Sequence, residues 1–128
     1  MTLLVLRWIH LVAAATWVGG LVVMGPLVVS LRRSGVGSEQ LRAGARALAR
    51  VSWAAMIVAV VTGIAQAQIL FPWTYPRLHA KIGLVALTCA LAGVHQLTAR
   101  TSSARVRGLL QGGILAASLL VVAAAVAL

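Results

Sequence analysis

The amino-acid sequence predicts an all-α integral membrane protein, a four-helix bundle with both termini on the outer (periplasmic or extracellular) side. Three observations carry that expectation. Of 128 residues 62% are hydrophobic and only 9% charged, with a mean hydropathy of +1.03, and so few polar groups cannot cover a soluble domain of this size. The apolar residues collect in four runs of membrane-crossing length. The basic residues crowd onto the connections at one side of those runs. Aromatic residues make up only 5%; the apolar mass is Ala, Val and Leu, which suits helices, whereas a transmembrane barrel would show short alternating segments. One membrane domain over 1–128 is expected, without internal repeats and without room for a soluble one.

The first run, 3–29, is too long for a signal-peptide core and lacks a small-residue cleavage site before a mature domain, so it reads as a retained span. Within it Arg7, His10, Ala14, Trp17, Leu21 and Met24 recur at steps of three and four and share one stripe. Thr16 and Gly20 form a small-xxx-small pair that admits a neighbouring helix, and Pro26 is expected to kink the end. Trp8, near the interface, reads as a lipid contact. A Gly/Ser-rich turn after Arg32-Arg33 leads to Ser38, a candidate N-cap, and to Glu39, placed for the positive end of the helix dipole. Arg42, Arg46 and Arg50 then form a basic stripe, on a surface helix or an extension of the next span, that suits anionic phospholipid at the cytoplasmic face.

The second run is 51–70, followed by the aromatic turn Phe71-Pro-Trp-Thr-Tyr-Pro76 of an interfacial hairpin. The third is 78–98. A polar loop from Arg100 to Arg107 precedes the fourth, 108–128, which carries no charge and opens on Gly108-x-x-x-Gly112, a second close-packing signal.

Eleven basic residues stand against one acid. Eight of them (Arg32, Arg33, Arg42, Arg46, Arg50, Arg100, Arg105 and Arg107) fall on the first and third connections, and only Arg7, Arg77 and Lys81 on the other side. Positive-inside therefore puts both termini and the aromatic turn outside, in the cell membrane. A basic groove interleaved with aromatics is missing, so nucleic acid is not the expected partner. The single Cys89 excludes an intramolecular disulfide and reads as an apolar filler.

Against this apolar background His10, His79, Lys81 and His95 stand out, because intramembrane ionisable residues are costly and serve as functional hypotheses by default. By helical rise His10 lies ~8 Å outward of the midplane, His79 ~13 Å outward and His95 ~10 Å inward. An outer layer thus holds His10, His79, Lys81, Gln66 and Gln68, and an inner one His95, Met24 and Met56. Ring nitrogens on different helices at similar depth can clamp a flat macrocycle, and imidazole is the usual haem ligand, with thioether a known second one. Arg7 and Lys81 could pair with haem propionates, and Trp17 could wall the pocket. Small residues (Ala13, Ala14, Gly19, Gly20, Gly83 and Ala86) leave the width a porphyrin needs. Copper is the competing cargo, since histidine with Met24 or Met56 suits Cu(I). Zinc would want carboxylates or a tighter cluster. The bland alternatives are an interfacial His79, a snorkelling Lys81 and hydrogen-bonded packing histidines.

Trp8-Ile-His10, Thr16-Trp17-Val-Gly19-Gly20, Met56, Thr62-Gly63 and His79-Ala-Lys81 with His95 downstream resemble the protoporphyrinogen oxidases of the HemJ type. The first-span pattern also resembles the membrane domain of the CopD copper-resistance family. The resemblance covers three spans, and His-x-Lys with a trailing His is its more specific part. It implies haem b held first by His10, with His79 and Lys81 shaping the same site, Lys81 as the catalytic proton acceptor, and His95 as a further ligand. Two positions depart from the HemJ pattern: Arg7 stands where a lysine is usual, and Leu27 rather than a basic residue follows Pro26. The expected function is therefore haem-based redox chemistry, with a porphyrinogen, a quinone or another redox protein as partner. CopD-like copper handling, with His10, His79, His95 and Met24 as candidate ligands, is the alternative. An accessory subunit of a larger complex, or a homo-oligomer, is the third class.

Overall fold

Runs of Leu, Val and Ala separated by short turns give long helices and, among the described residues, no strand. In the computed structural model, which describes residues 1–71 and 73–127, the elements are α1 (Thr2–Arg33), α2 (Ser38–Leu70), α3 (Pro76–Thr98) and α4 (Ala104–Val126). Pro72 of the aromatic turn and Leu128 at the end of the fourth span lie outside the described residues. All four helices are long and apolar enough to cross a membrane. The chain is a multi-pass, all-helical membrane protein. It divides into two compact units, Met1–Ile69 and Leu70–Leu128.

In the first unit α1 is 32 residues long and continues past Pro26. It stops where glycine permits. Gly35 takes φ +79°, Gly35 N–H donates to Arg32 O, and Val36 N–H donates to Leu31 O, both at 3.1 Å. This is a Schellman closure, which needs the left-handed conformation that glycine adopts without a Cβ penalty. The chain then turns straight into α2, so the arginine stripe is not a separate surface helix. Arg42, Arg46 and Arg50 ride on the first turns of one 33-residue helix.

The two helices run antiparallel, and three contacts set their register. Leu6 lies opposite Gln66, His10 opposite Ala59 and Thr62, and Gly20 opposite Ser52, whose Oγ would lie 3.5 Å from a Cβ placed at Gly20. Gly20 therefore acts as its spacing predicts. Thr16 does not share that role: it is exposed and donates its hydroxyl to Val12 O at 2.8 Å.

In the second unit Pro76 opens α3 at a position where its missing N–H costs nothing. Phe71 and Tyr75 stack just before it, ring centroids 5.9 Å apart. Ser103 caps α4 by accepting the Val106 N–H at 3.3 Å, a bond worth about 1 kcal/mol at such positions. The helix therefore starts before the apolar run and includes Arg105 and Arg107. Arg77 Nη1 donates to Ala127 O at 2.9 Å, placing a cation at the negative end of α4. Leu78, Thr88 and Ala92 are buried on α3, and Ile114, Ala117 and Ser118 on α4. Thr88 and Ser118 tolerate burial because each donates to the carbonyl one turn back, both at 2.8 Å. The α3–α4 approach uses Gly113, where a Cβ would meet Leu91 Cδ1 at 3.9 Å. A Cβ at Gly108 or Gly112 would meet no described atom within 4 Å. That spacing is not the packing seam.

Candidate functional site

The most constructed polar feature of the first unit is built on His10. Its Nδ1 lies 2.9 Å from Ala59 O and 3.1 Å from Thr62 Oγ1. A carbonyl can only accept. The Thr62 hydroxyl makes its closest contact as donor to Val58 O, at 2.6 Å, which leaves its oxygen as an acceptor toward the ring. Both partners of Nδ1 therefore accept, so Nδ1 carries a proton, and in the neutral ring the lone pair belongs to Nε2. Tautomer and ring orientation are fixed by α2, the arrangement that a metal-ligating histidine usually shows.

Gly63 makes the contact possible. A Cβ there would come within 3.1 Å of His10 Cε1 and 3.5 Å of Nδ1, so only glycine lets the imidazole lie against α2 without displacement. One turn further along, Gln66 Nε2 donates to Thr62 O at 3.2 Å and to Leu6 O at 3.3 Å. Gln66 ties the two helices one turn nearer the start of α1 than His10. Thr62 itself is buried, at 8% exposure. Hydrogen bonds across such seams contribute about 1 kcal/mol each.

The remaining predicted residues divide by position. On α1 Arg7 is exposed and Trp17 half-buried. Met24 is half-buried too, but it lies 14 residues beyond His10 on one unbroken helix, ~21 Å away by helical rise. Met24 cannot complete a copper site with His10, whereas Met56, buried on α2 one turn from Ala59, sits closer to that level. On α3 His79 is exposed and Lys81 half-buried. His79 and His95 are separated by ~24 Å of helix, so one ion cannot take both. His95 Nδ1 is buried and has no hydrogen-bond partner. Such atoms are rare and call for an explanation. Among the described residues no three His, Cys, Asp or Glu side chains gather as a metal-binding group.

The sequence reading gave no role to Ala59, and Thr62 and Gly63 entered only with the resemblance. The available signal was a hydroxyl next to a glycine in an otherwise apolar span. An open apolar groove of about 460 Å³ also lies between α1 and α2, lined by Trp8, Val12, Ala13, Ala54 and Val58 among others. His10 does not line it. No protein-family model, curated protein or solved structure matches the chain, so the resemblance to HemJ-type oxidases and CopD proteins rests on the quoted residues alone.

Proposed function

We propose that the chain is a cell-membrane protein that carries b-type haem on His10 and serves in redox chemistry. One observation carries this reading: His10 donates Nδ1–H to Ala59 O at 2.9 Å, a bond that fixes the ring and its tautomer as a backbone carbonyl does for a metal-ligating histidine. Gly63 supports it, since a Cβ there would crowd the ring at 3.1 Å from Cε1. Haem would supply reversible one-electron chemistry. His95, with its unpartnered buried nitrogen, would bear on the cargo only through a second haem of the inner layer, since its depth differs from that of His10 by ~18 Å by helical rise.

The most concrete form of this role is the porphyrinogen oxidation that the HemJ resemblance implies. Electrons would leave to a quinone or another redox protein, and half-buried Lys81 would take up a proton. The positive-inside distribution supports an orientation with both termini outside. The test of the cargo is an optical spectrum of the purified protein. A Soret band, and on dithionite reduction an alpha band of b-type haem, is expected. A colourless preparation retaining stoichiometric copper would replace this reading with CopD-like copper handling by His10 and Met56.

A second reading, a subunit of a larger assembly or a homo-oligomer, is favoured by α1. Only Ala13 of its 32 residues is buried, less than expected of a helix whose partners all lie within the chain. Cross-linking in native membranes that yields only monomer would remove it.

A further inference from the structure

We propose that the turn end of the α1–α2 hairpin is a binding surface for anionic phospholipid, whose phosphates sit on Arg42, Arg46 and Arg50. The helix carrying them is too long for the membrane alone. Its 33 residues extend ~50 Å by helical rise, against ~30 Å of hydrocarbon. The apolar part from Val51 to Leu70 accounts for the crossing, and Ser38–Arg50 stands beyond it. The three arginines recur every four residues on that extension, so they form one row, and all three are exposed. The Schellman closure at Gly35 brings exposed Arg32 and Arg33 to the same end. Glu39 is the only acid in the chain, so the charge of this end cannot be neutralised from within. Anionic groups from outside the chain must balance it.

The other strand of the hairpin decides where those anionic groups come from. The part of α1 beside this extension is not polar: Val22, Val23, Leu27 and Val29 are 51, 57, 44 and 50% exposed. A soluble acidic protein or a nucleic acid would leave these residues in water. A lipid satisfies both helices, with the boundary between acyl chains and headgroups against the valines and leucine of α1 and phosphate at the guanidinia of α2. Arginine stems extended along apolar surface reach the headgroup level in the same way.

The test uses the full chain in phosphatidylcholine vesicles doped with spin-labelled phosphatidylglycerol or spin-labelled phosphatidylcholine. Electron spin resonance reads how strongly each is immobilised at the protein surface. The wild-type chain is expected to prefer phosphatidylglycerol. One arginine at a leaflet surface is worth about fivefold, so R42Q/R46Q/R50Q should lower the preference by at least that factor. R42K/R46K/R50K should retain it, and R100Q/R105Q, on the other hairpin turn, should retain most of it. Should the triple glutamine variant fail to fold, the three single glutamine variants should each lower the preference. A wild-type chain without preference, or a preference that survives R42Q/R46Q/R50Q and is lost in R100Q/R105Q, overturns the proposal. So does its complete displacement by soluble polyglutamate or inorganic phosphate at physiological salt.

Discussion

Single atoms carry most of the chemistry here, because an apolar span leaves a polar side chain few partners. His10 bonds to a backbone carbonyl and a hydroxyl that is itself anchored on Val58 O. The two acceptors are unequal under mutation. Thr62→Val removes the weaker one and leaves Ala59 O, so it should lower stability by about 1 kcal/mol and leave the cargo bound, as thermal unfolding in detergent together with the haem-to-protein ratio would show. Gly63→Ala acts on the ring itself, since the new Cβ would stand 3.1 Å from Cε1. It should shift the haem spectrum or weaken retention while the helices persist by circular dichroism. An unchanged spectrum in Gly63→Ala would mean that the ring pose is irrelevant to the cargo. These residues were only partly legible in the sequence. His10 is visible as an ionisable group in an apolar run, but its partners depend on helix rotation and register, which no local pattern encodes.

At the scale of helices, small residues matter only where the rotation of the helix turns them toward a neighbour. Gly20 and Gly112 both belong to small-xxx-small spacings, yet only Gly20 has a described neighbour at its Cβ position, Ser52 Oγ at 3.5 Å. Gly20→Leu should therefore cost about 1–3 kcal/mol of stability through overpacking, read as a lowered melting temperature in detergent, and Gly112→Leu should leave stability nearly unchanged. Equal effects at the two sites would contradict the α1–α2 register. Helix extents show the same division between what local sequence fixes and what it does not. The turns were legible because glycine and proline have specific uses: Gly35 for a positive φ and Pro76 at a helix start. The start of α2 was marked too, since Ser38, the expected N-cap, is its first residue; the start of α4 was not, because hydropathy marks the hydrocarbon and not the helix. Both helices run past their apolar segments into arginine-bearing turns.

For the molecule as a whole, four spans follow from hydropathy and charge. The orientation rests on eight arginines at one side against three basic residues at the other. A periplasm-active reporter fused after the last residue should be active, and a cytoplasm-active one inactive; the reverse would invert the topology. Cargo is likewise a property of the whole protein, and the His10 geometry makes it testable by a single substitution. The decisive measurement is the dithionite-reduced minus oxidised spectrum of wild-type and His10→Ala proteins purified in parallel from haem-replete cells. The wild-type protein is expected to show the Soret and alpha bands of b-type haem, and His10→Ala to lose them while remaining helical and membrane-inserted. Full haem occupancy in His10→Ala, or no haem in the wild-type protein, would contradict the assignment of His10 as the haem ligand.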